Sequence, residues 1–292
     1  MRDKSVSSQY CIWIVTPPGY PHAAAFDEVA IGLQGGFREL GLQAPIVRDN
    51  RRIRGKAIVL GANLLPDMPG VKVPRKAILF NLEQITPGSE WLTPGYLKLL
   101  KHHTVWDYSV YNIEQLNRLG ITNITHCPLG FSDELHCIQH AENKDIDVLF
   151  YGSMNARRLE ILETLVKTGL KVETLFGVYG DRRDAVIARS RLVLNIHYYP
   201  AKIFEIVRIS WLLANAVCVI SEDSPPESAL ESVRGGIVQA PYAQLVETCR
   251  KMIDDGTWAT MASRGLEVFR NNRQAGFLRT ALGLHGESRL RA

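Results

Sequence analysis

The sequence predicts an α/β protein of two consecutive halves, each a parallel sheet covered by helices. Short apolar runs alternate with helical patterns along both halves, as parallel sheets with helical crossovers require. The runs are almost uniformly apolar, which suits strands buried on both faces. At 292 residues the chain fits two domains of about 140 residues each.

In the first half, residues 11–15, 45–47, 57–60, 77–80, 104–106 and 124–127 read as strands, and residues 23–40, 94–100 and 113–119 as helices. Gly41 and Gly120 follow two of these helices, where a residue without Cβ ends a helix most easily. Residues 132–145, SDELHCIQHAENKD, are polar and without strong β periodicity, and the interdomain linker is expected there. The second half predicts strands at 148–151, 172–176, 192–196, 217–221 and 237–238, and helices at 157–168, 182–189, 202–214, 243–255 and 258–271. The expected division is 1–135, 146–272, and a terminal helix with a loose basic tail over 273–292, which includes Arg289 and Arg291.

Composition narrows the function. Hydrophobic residues make up 46% and charged residues 22% of the chain, with a net charge of +4. This is ordinary for a soluble globular protein, compatible with an anionic substrate, and too weakly basic to imply nucleic-acid binding. No apolar run approaches the ~20 residues of a membrane span, so no stable membrane insertion is expected. The opening MRDKSVSSQYCIWIV runs into Pro17, Pro18 and Gly19 without a small-residue cleavage site, and reads as a first strand instead of a secretory leader. Five scattered cysteines without CxxC spacing point to a reducing cytoplasm and against a cysteine metal site. His102 and His103 are adjacent, HExxH is missing, and Asp145-Ile-Asp147 belongs to a strand start. No metal or other cofactor is therefore expected. The basic run 48–56, RDNRRIRGK, has no interleaved aromatic platform. It reads as a solvated loop or, alternatively, as a guide for a phosphate-bearing acceptor.

The most informative stretch is HYYPAKIFEIVRISWLLAN, residues 197–215, which follows an apolar strand. Ligands of open α/β sheets bind at such strand-to-helix junctions. Lys202 beside an expected helix N-terminus suits a phosphate, and Glu205 one turn on can accept hydrogen bonds from hydroxyls. Phosphate plus polyol describes a nucleotide sugar. Glu205 and Arg208, three apart, also fit an ordinary surface ion pair, and His197 and Tyr198 fit packing groups with wet tips. Gly152 and Ser153 end a strand and precede Arg157 and Arg158. Glycine there lets the backbone approach a diphosphate, and an arginine, Arg157 ahead of Arg158, offsets its charge. In GVYGD, residues 177–181, Tyr179 and Gly180 can meet a nucleobase or form a plain turn.

These residues carry a resemblance. DVLFYGS with its basic helix start, LFGVYG, LVLNIHYY, KIFEIVRISWLLANAVCVISED and a final helix pair resemble the donor-binding domain of GT-B glycosyltransferases ("glycosyl transferases group 1"). ILFNLEQ and VWDYSVYN resemble the acceptor-side domain of bacterial polysaccharide-type members. The resemblance implies two facing Rossmann-like domains with a cleft between them, and a metal-independent, cytoplasmic transfer, hexosyl for instance, from a nucleotide sugar such as a UDP-sugar to an acceptor hydroxyl. The acceptor is left open among glycan, lipid-linked, protein and nucleic-acid-linked classes. Many retaining members carry two glutamates eight apart on the helix at 202–214; here Lys202 and Ser210 stand at those positions.

Acceptor activation needs a base. Glu83 and Asp107, just past apolar strands, and His22 in the loop TPPGYPH are the candidates. Gly19, Gln84 and Tyr108 are the neighbouring acceptor-side candidates. The same carboxylates can instead bind acceptor hydroxyls or cap helices. Two rivals share the architecture: a nucleotide-sugar epimerase, and a non-catalytic nucleotide-binding protein that recruits a partner.

Overall fold

The computed structural model describes residues 9–86, 88–226 and 228–284. The expected basic tail at Arg289 and Arg291 lies outside the described residues. Contacts divide the chain into two compact units, Met1–Ser132 with Arg273–Ala292, and Asp133–Asn272.

In unit 1 the strands are β1 (Tyr10–Ile14), β2 (Ile46–Val47), β3 (Lys56–Leu60), β4 (Ile78–Asn81), β5 (Thr104–Asp107) and β6 (Ile124–His126). They form one parallel sheet in the order β2-β1-β3-β4-β5-β6. Helices α1 (Asp27–Glu39), α2 (Pro94–His102) and α3 (Val110–Arg118) connect them. Thr93 and Ser109 cap α2 and α3 by accepting from the backbone N–H three residues on, which satisfies donors that a helix start leaves open. The helix expected from residue 23 is a 3-10 turn over Pro21–Phe26 before α1 begins. Pro21 presets φ for the first turn.

In unit 2, β7 (Ile146–Tyr151), β8 (Val172–Leu175), β9 (Ser190–Asn195), β10 (Cys218–Glu222) and β11 (Val238–Ala240) form a second parallel sheet, in the order β11-β10-β9-β7-β8. Helices α4 (Ala156–Lys167), α5 (Asp181–Arg189), α6 (Ile206–Ala214), α7 (Ser228–Glu231), α8 (Leu245–Asp254) and α9 (Trp258–Arg270) accompany it. Val148, Phe150, Leu192, Leu194 and Ile220 pack with Leu162, Leu165, Leu245 and Cys249 in one buried core, each large side chain contributing roughly 1.5–3 kcal/mol by burial. The chain leaves β7 for β8 on one side and returns to β9 on the other. The carboxyl ends of β7 and β9 therefore form a topological switch point, where such sheets bind ligands.

Two corrections concern the segment before α6. The helix expected from residue 202 starts at Ile206, and Lys202 has φ +51°, outside any right-handed helix. Ile203 and Phe204 are buried, so their apolar spacing anchors a loop instead of lining a helix face. Glu205 is the residue preceding the first helical turn and not one turn in.

The polar segment 133–145 is held within unit 2. Asn215 Oδ1 accepts from the backbone N–H groups of Cys137 and Ile138, both at 2.8 Å, and its Nδ2 donates to the carbonyls of Leu135 and Trp211. The basic run 48–56 is partly neutralised on the spot: Arg48 pairs with Asp27, and Arg51 with Asp49.

Helix α10 (Gln274–Ala281) belongs to unit 1. Gln274 accepts from the Gly130 N–H at 2.8 Å and donates to the Pro128 carbonyl. On α1, a Cβ at Gly36 would lie 2.8 Å from Gln274 Cγ and 2.9 Å from Leu278 Cδ1, so the glycine permits close packing of α1 against α10. Leu278 is fully buried. Leu278→Ala is expected to cost about 2–4 kcal/mol, read by urea unfolding; a loss under about 0.5 kcal/mol, the scale of a surface substitution, would show that α10 does not dock.

Candidate functional site

Unit 2 gathers most of the predicted donor residues at the carboxyl ends of β7, β9 and β10. Their centre is Glu222, the last residue of β10, whose side chain is fully buried. It accepts from both terminal nitrogens of Arg157, at 3.1 and 2.7 Å, from Lys202 Nζ at 2.7 Å, and from the His197 N–H at 3.2 Å. Burial works to raise the Glu222 pKa, but the hydrogen bonds from Arg157 and Lys202 and the nearby charges hold it below the ordinary carboxylate value. Arg157 also donates to the His197 carbonyl and lies over the Tyr242 ring at 4.2 Å.

Arg158, 2% exposed, plays the more internal part. It donates to the carbonyls of Ile196 and Ser153, the latter at 2.7 Å, and so ties the turn after β7 to the end of β9. Burial, with Arg208 nearby, brings its pKa down to about 10, which leaves it charged at neutral pH. Arg157 is the more exposed of the two. Asn155 caps α4 through its own side chain, and Gly152 has φ +138°. That backbone conformation calls for glycine, and a Cβ there would also displace the Arg208 guanidinium, whose Nη2 would lie 2.8 Å away.

Glu205 is fully engaged. One side of its carboxylate lies 3.0 Å from His197 Nδ1, and Oε2 accepts from Asn195 Nδ2 at 2.8 Å. Burial opposes its ionisation, but these contacts and the charge of Arg208 outweigh that and lower its pKa. Arg208 donates to Asn195 Oδ1 at 3.1 Å and stacks over Tyr151. His197 is itself buried, and Ser224 Oγ lies 3.0 Å from its Nε2. Tyr198 is 40% exposed and packs under Arg158. Tyr179 and Gly180 lie after β8, Gly180 preceding α5 with φ +58°.

Unit 1 brings ILFNLEQ and VWDYSVYN together, because Asn81 and Asp107 are paired neighbours at the ends of β4 and β5. Asn81 Nδ2 donates to Asp107 Oδ2 at 2.7 Å and to the Glu83 carbonyl at 2.9 Å, while its Oδ1 accepts from Tyr96. Asn112 Nδ2 donates to Asp107 Oδ1 and to the same Glu83 carbonyl. The Ser109 N–H also donates to Asp107 Oδ1, at 2.9 Å. Asp107, enclosed by this amide network, is 0% exposed, and Tyr108 is 2% exposed. Their expected presentation to a ligand is corrected accordingly. Glu83 is the half-buried member, with Oε1 accepting from Asn63 at 3.1 Å. Burial pushes its carboxyl up to about 7, against the lowering hydrogen bond from Asn63. Gln84 is partly buried beside it. His22, in the 3-10 turn, sits edge-on to Tyr20 at 5.3 Å, and Gly19 turns the loop at φ +74°.

Sequence reasoning missed Glu222, Ser224, Asn195 and the asparagines around Asp107. The available signal was an acid or amide ending an otherwise apolar strand, in LVLN and CVISE. Among the described residues, no group of three or more His, Cys, Asp or Glu is arranged to hold a metal ion, and no helix is long and apolar enough to cross a membrane. A separate cavity of about 730 Å³, bordered by Val238, Lys251, Met252, Met261 and Arg264, contains none of the predicted site residues.

No family model matches the sequence. Relatives from Acanthamoeba polyphaga mimivirus include uncharacterized protein L140, 28% identical over 195 residues covering 63% of this chain and 61% of that protein. Uncharacterized protein L138 is 30% identical over 47% of this chain and 16% of its own length. The chain thus spans less than two thirds of these curated relatives. Among solved structures, Anabaena Alr3699/HepE in complex with UDP and glucose superposes with a TM-score of 0.61 at 10% identity, covering 94% of this chain and 99% of that one. Sucrose-phosphate synthase from Thermosynechococcus elongatus gives 0.59 at 11% identity over 94% and 98%, and WaaG, a glycosyltransferase involved in lipopolysaccharide biosynthesis, 0.52 at 12% over 96% and 100%. With its two all-parallel sheets of six and five strands and these likenesses, the chain has the GT-B fold of glycosyltransferases.

Proposed function

We propose that this protein is a glycosyltransferase that moves a sugar from a nucleotide-sugar donor to an acceptor hydroxyl, with unit 2 holding the donor. The observation that carries this reading is the charge balance at the switch point. Arg157, Arg158, Lys202 and Arg208 gather there around the carboxylates of Glu205 and Glu222, with Glu160 acting on Arg157 from the α4 side. Four cations against these three anions leave a formal positive excess, which suits a diphosphate. Arg157 and Lys202 are partly exposed, and in this reading they meet the diphosphate while still bonded to Glu222. They take the charge of the leaving diphosphate through hydrogen bonds, a form of electrostatic stabilisation, and the reading involves no metal ion. A hexose carried on UDP is the first donor to test, because HepE is known in complex with UDP-glucose.

Glu83 is the base of this proposal. A pKa about 7 matches a group that must accept a proton near neutral pH, while Asp107, enclosed by amide donors, positions the Glu83 loop.

Calorimetric titration with UDP-, GDP-, ADP- and dTDP-glucose is expected to show saturable binding of at least one. Lys202→Ala should weaken it by about 1.5–3 kcal/mol, the scale of a charge-assisted hydrogen bond. Unchanged affinity in the folded variant would remove Lys202 from the site. Binding to none of the four, with no transfer to any acceptor, would contradict the proposed function.

Glu83→Gln should lower kcat by about 10²–10⁴-fold, and wild-type turnover should rise with pH through about 7. Stability supplies an independent check. A carboxyl whose folded pKa is raised favours the folded state at low pH and penalises it once ionised. Wild-type stability should therefore fall as pH rises from the unfolded pKa, about 4.3, through about 7, and Glu83→Gln should remove that decline. A variant with full turnover and an unchanged stability profile would show that Glu83 is neither buried as described nor the base.

A further inference from the structure

His197 and the two side chains that flank it form an arrangement that donor binding alone does not require. Ser224 Oγ lies 3.0 Å from Nε2, and the Glu205 carboxylate lies 3.0 Å from Nδ1. A carboxylate only accepts hydrogen bonds, so Nδ1 carries a proton, and in the neutral ring the Nε2 lone pair faces the serine hydroxyl. The imidazole is 1% exposed, and Asn195 fixes the far side of Glu205 at 2.8 Å. Nucleophile, base and orienting acid thus stand in hydrogen-bond contact, the relation by which a serine is activated. The backbone of the same His197 is held by the phosphate-facing groups: its carbonyl accepts from Arg157, and its N–H donates to Glu222, which also holds Lys202. A hydroxyl ready to lose its proton therefore stands beside the cations suited to a departing diphosphate.

We propose that Ser224 is a nucleophile of the donor site and carries the sugar in a covalent glycosyl–serine intermediate. This rests on the reading of unit 2 as a nucleotide-sugar site. Ser224 Oγ attacks the anomeric carbon; its proton passes to His197 Nε2, and Glu205 stabilises the imidazolium. The bond from the anomeric carbon to the phosphate oxygen breaks, and the nucleoside diphosphate leaves with the electron pair. In the second displacement an acceptor hydroxyl, or water, attacks the same carbon and gives up its own proton to a base. The Ser224 oxygen leaves with the electron pair and regains its proton from His197. Two inversions retain the anomeric configuration. Ser224 and His197 are catalytic residues in this scheme, and Glu205 is a positioning residue.

The test uses the whole protein and the 2-deoxy-2-fluoro analogue of whichever of UDP-, GDP-, ADP- or dTDP-glucose binds, since the fluorine slows breakdown of a glycosyl intermediate. Intact-mass and peptide mapping should find one added glycosyl group on Ser224 per diphosphate released, and none in Ser224→Ala. His197→Gln should lose at least about 10²-fold in the rate of adduct formation. Glu205→Gln should slow adduct formation and move its pH profile, with partial recovery in Glu205→Asp, while a merely structural role would leave that profile in place. Nucleotide binding with no adduct on Ser224, wild-type turnover in Ser224→Ala, or a product of inverted configuration would each overturn the Ser224 proposal and leave the donor-site reading standing. Failure of all four nucleotide sugars to bind would overturn both.

Discussion

The second unit's site depends on one buried carboxylate. Glu222 ends a strand whose residues are all buried, and an isolated ion there would cost several kcal/mol in lost hydration. The protein offsets that cost with Arg157, Lys202 and the His197 N–H. Each of these partners comes from a different piece of the chain: the first turn of α4, the loop before α6, and the end of β9. The electrostatic demand of one side chain therefore fixes three segments relative to each other. It also explains why Lys202 accepts a left-handed backbone, a conformation that costs a non-glycine residue on the order of 1 kcal/mol.

Unit 1 solves a related problem with neutral groups. Asp107 is buried, and Asn81, Asn112 and the Ser109 backbone donate to it. Two of those amides also donate to the Glu83 carbonyl. The loop after β4 is thereby pinned by its backbone, leaving the Glu83 side chain to a single amide from Asn63. A carboxyl given one neutral donor and little water has its pKa raised, whereas Glu205, given a histidine, an amide and a nearby arginine, has its pKa lowered. The two glutamates differ through their neighbours.

Periodicity made the fold legible. All eleven expected strands have counterparts in the two sheets, because strands buried on both faces leave unbroken apolar runs. The start of α6 was not legible: Ile203 and Phe204 keep helical spacing while being buried in a loop, and spacing alone does not separate those cases. Lys202, Glu205, Arg157 and His197 were identifiable because polar residues at strand-to-helix junctions stand out against apolar neighbours. Glu222 and Asn195 were not, since each is a single polar residue closing an apolar strand. Their significance comes from partners that sheet and loop bring to them: His197 and Arg157 for Glu222, and Glu205 and Arg208 for Asn195. The roles of the two adjacent arginines were equally hidden, because which one faces inward depends on the register of α4.

The central claim is that the Glu222 cluster is where a nucleoside diphosphate binds. A crystal structure of the protein soaked with UDP tests it most directly. The account predicts the diphosphate within hydrogen-bond distance of Arg157 and Lys202, at the ends of β7 and β9. UDP bound instead in the cavity bordered by Lys251, Met252 and Arg264, with the Glu222 cluster unaltered, would contradict it.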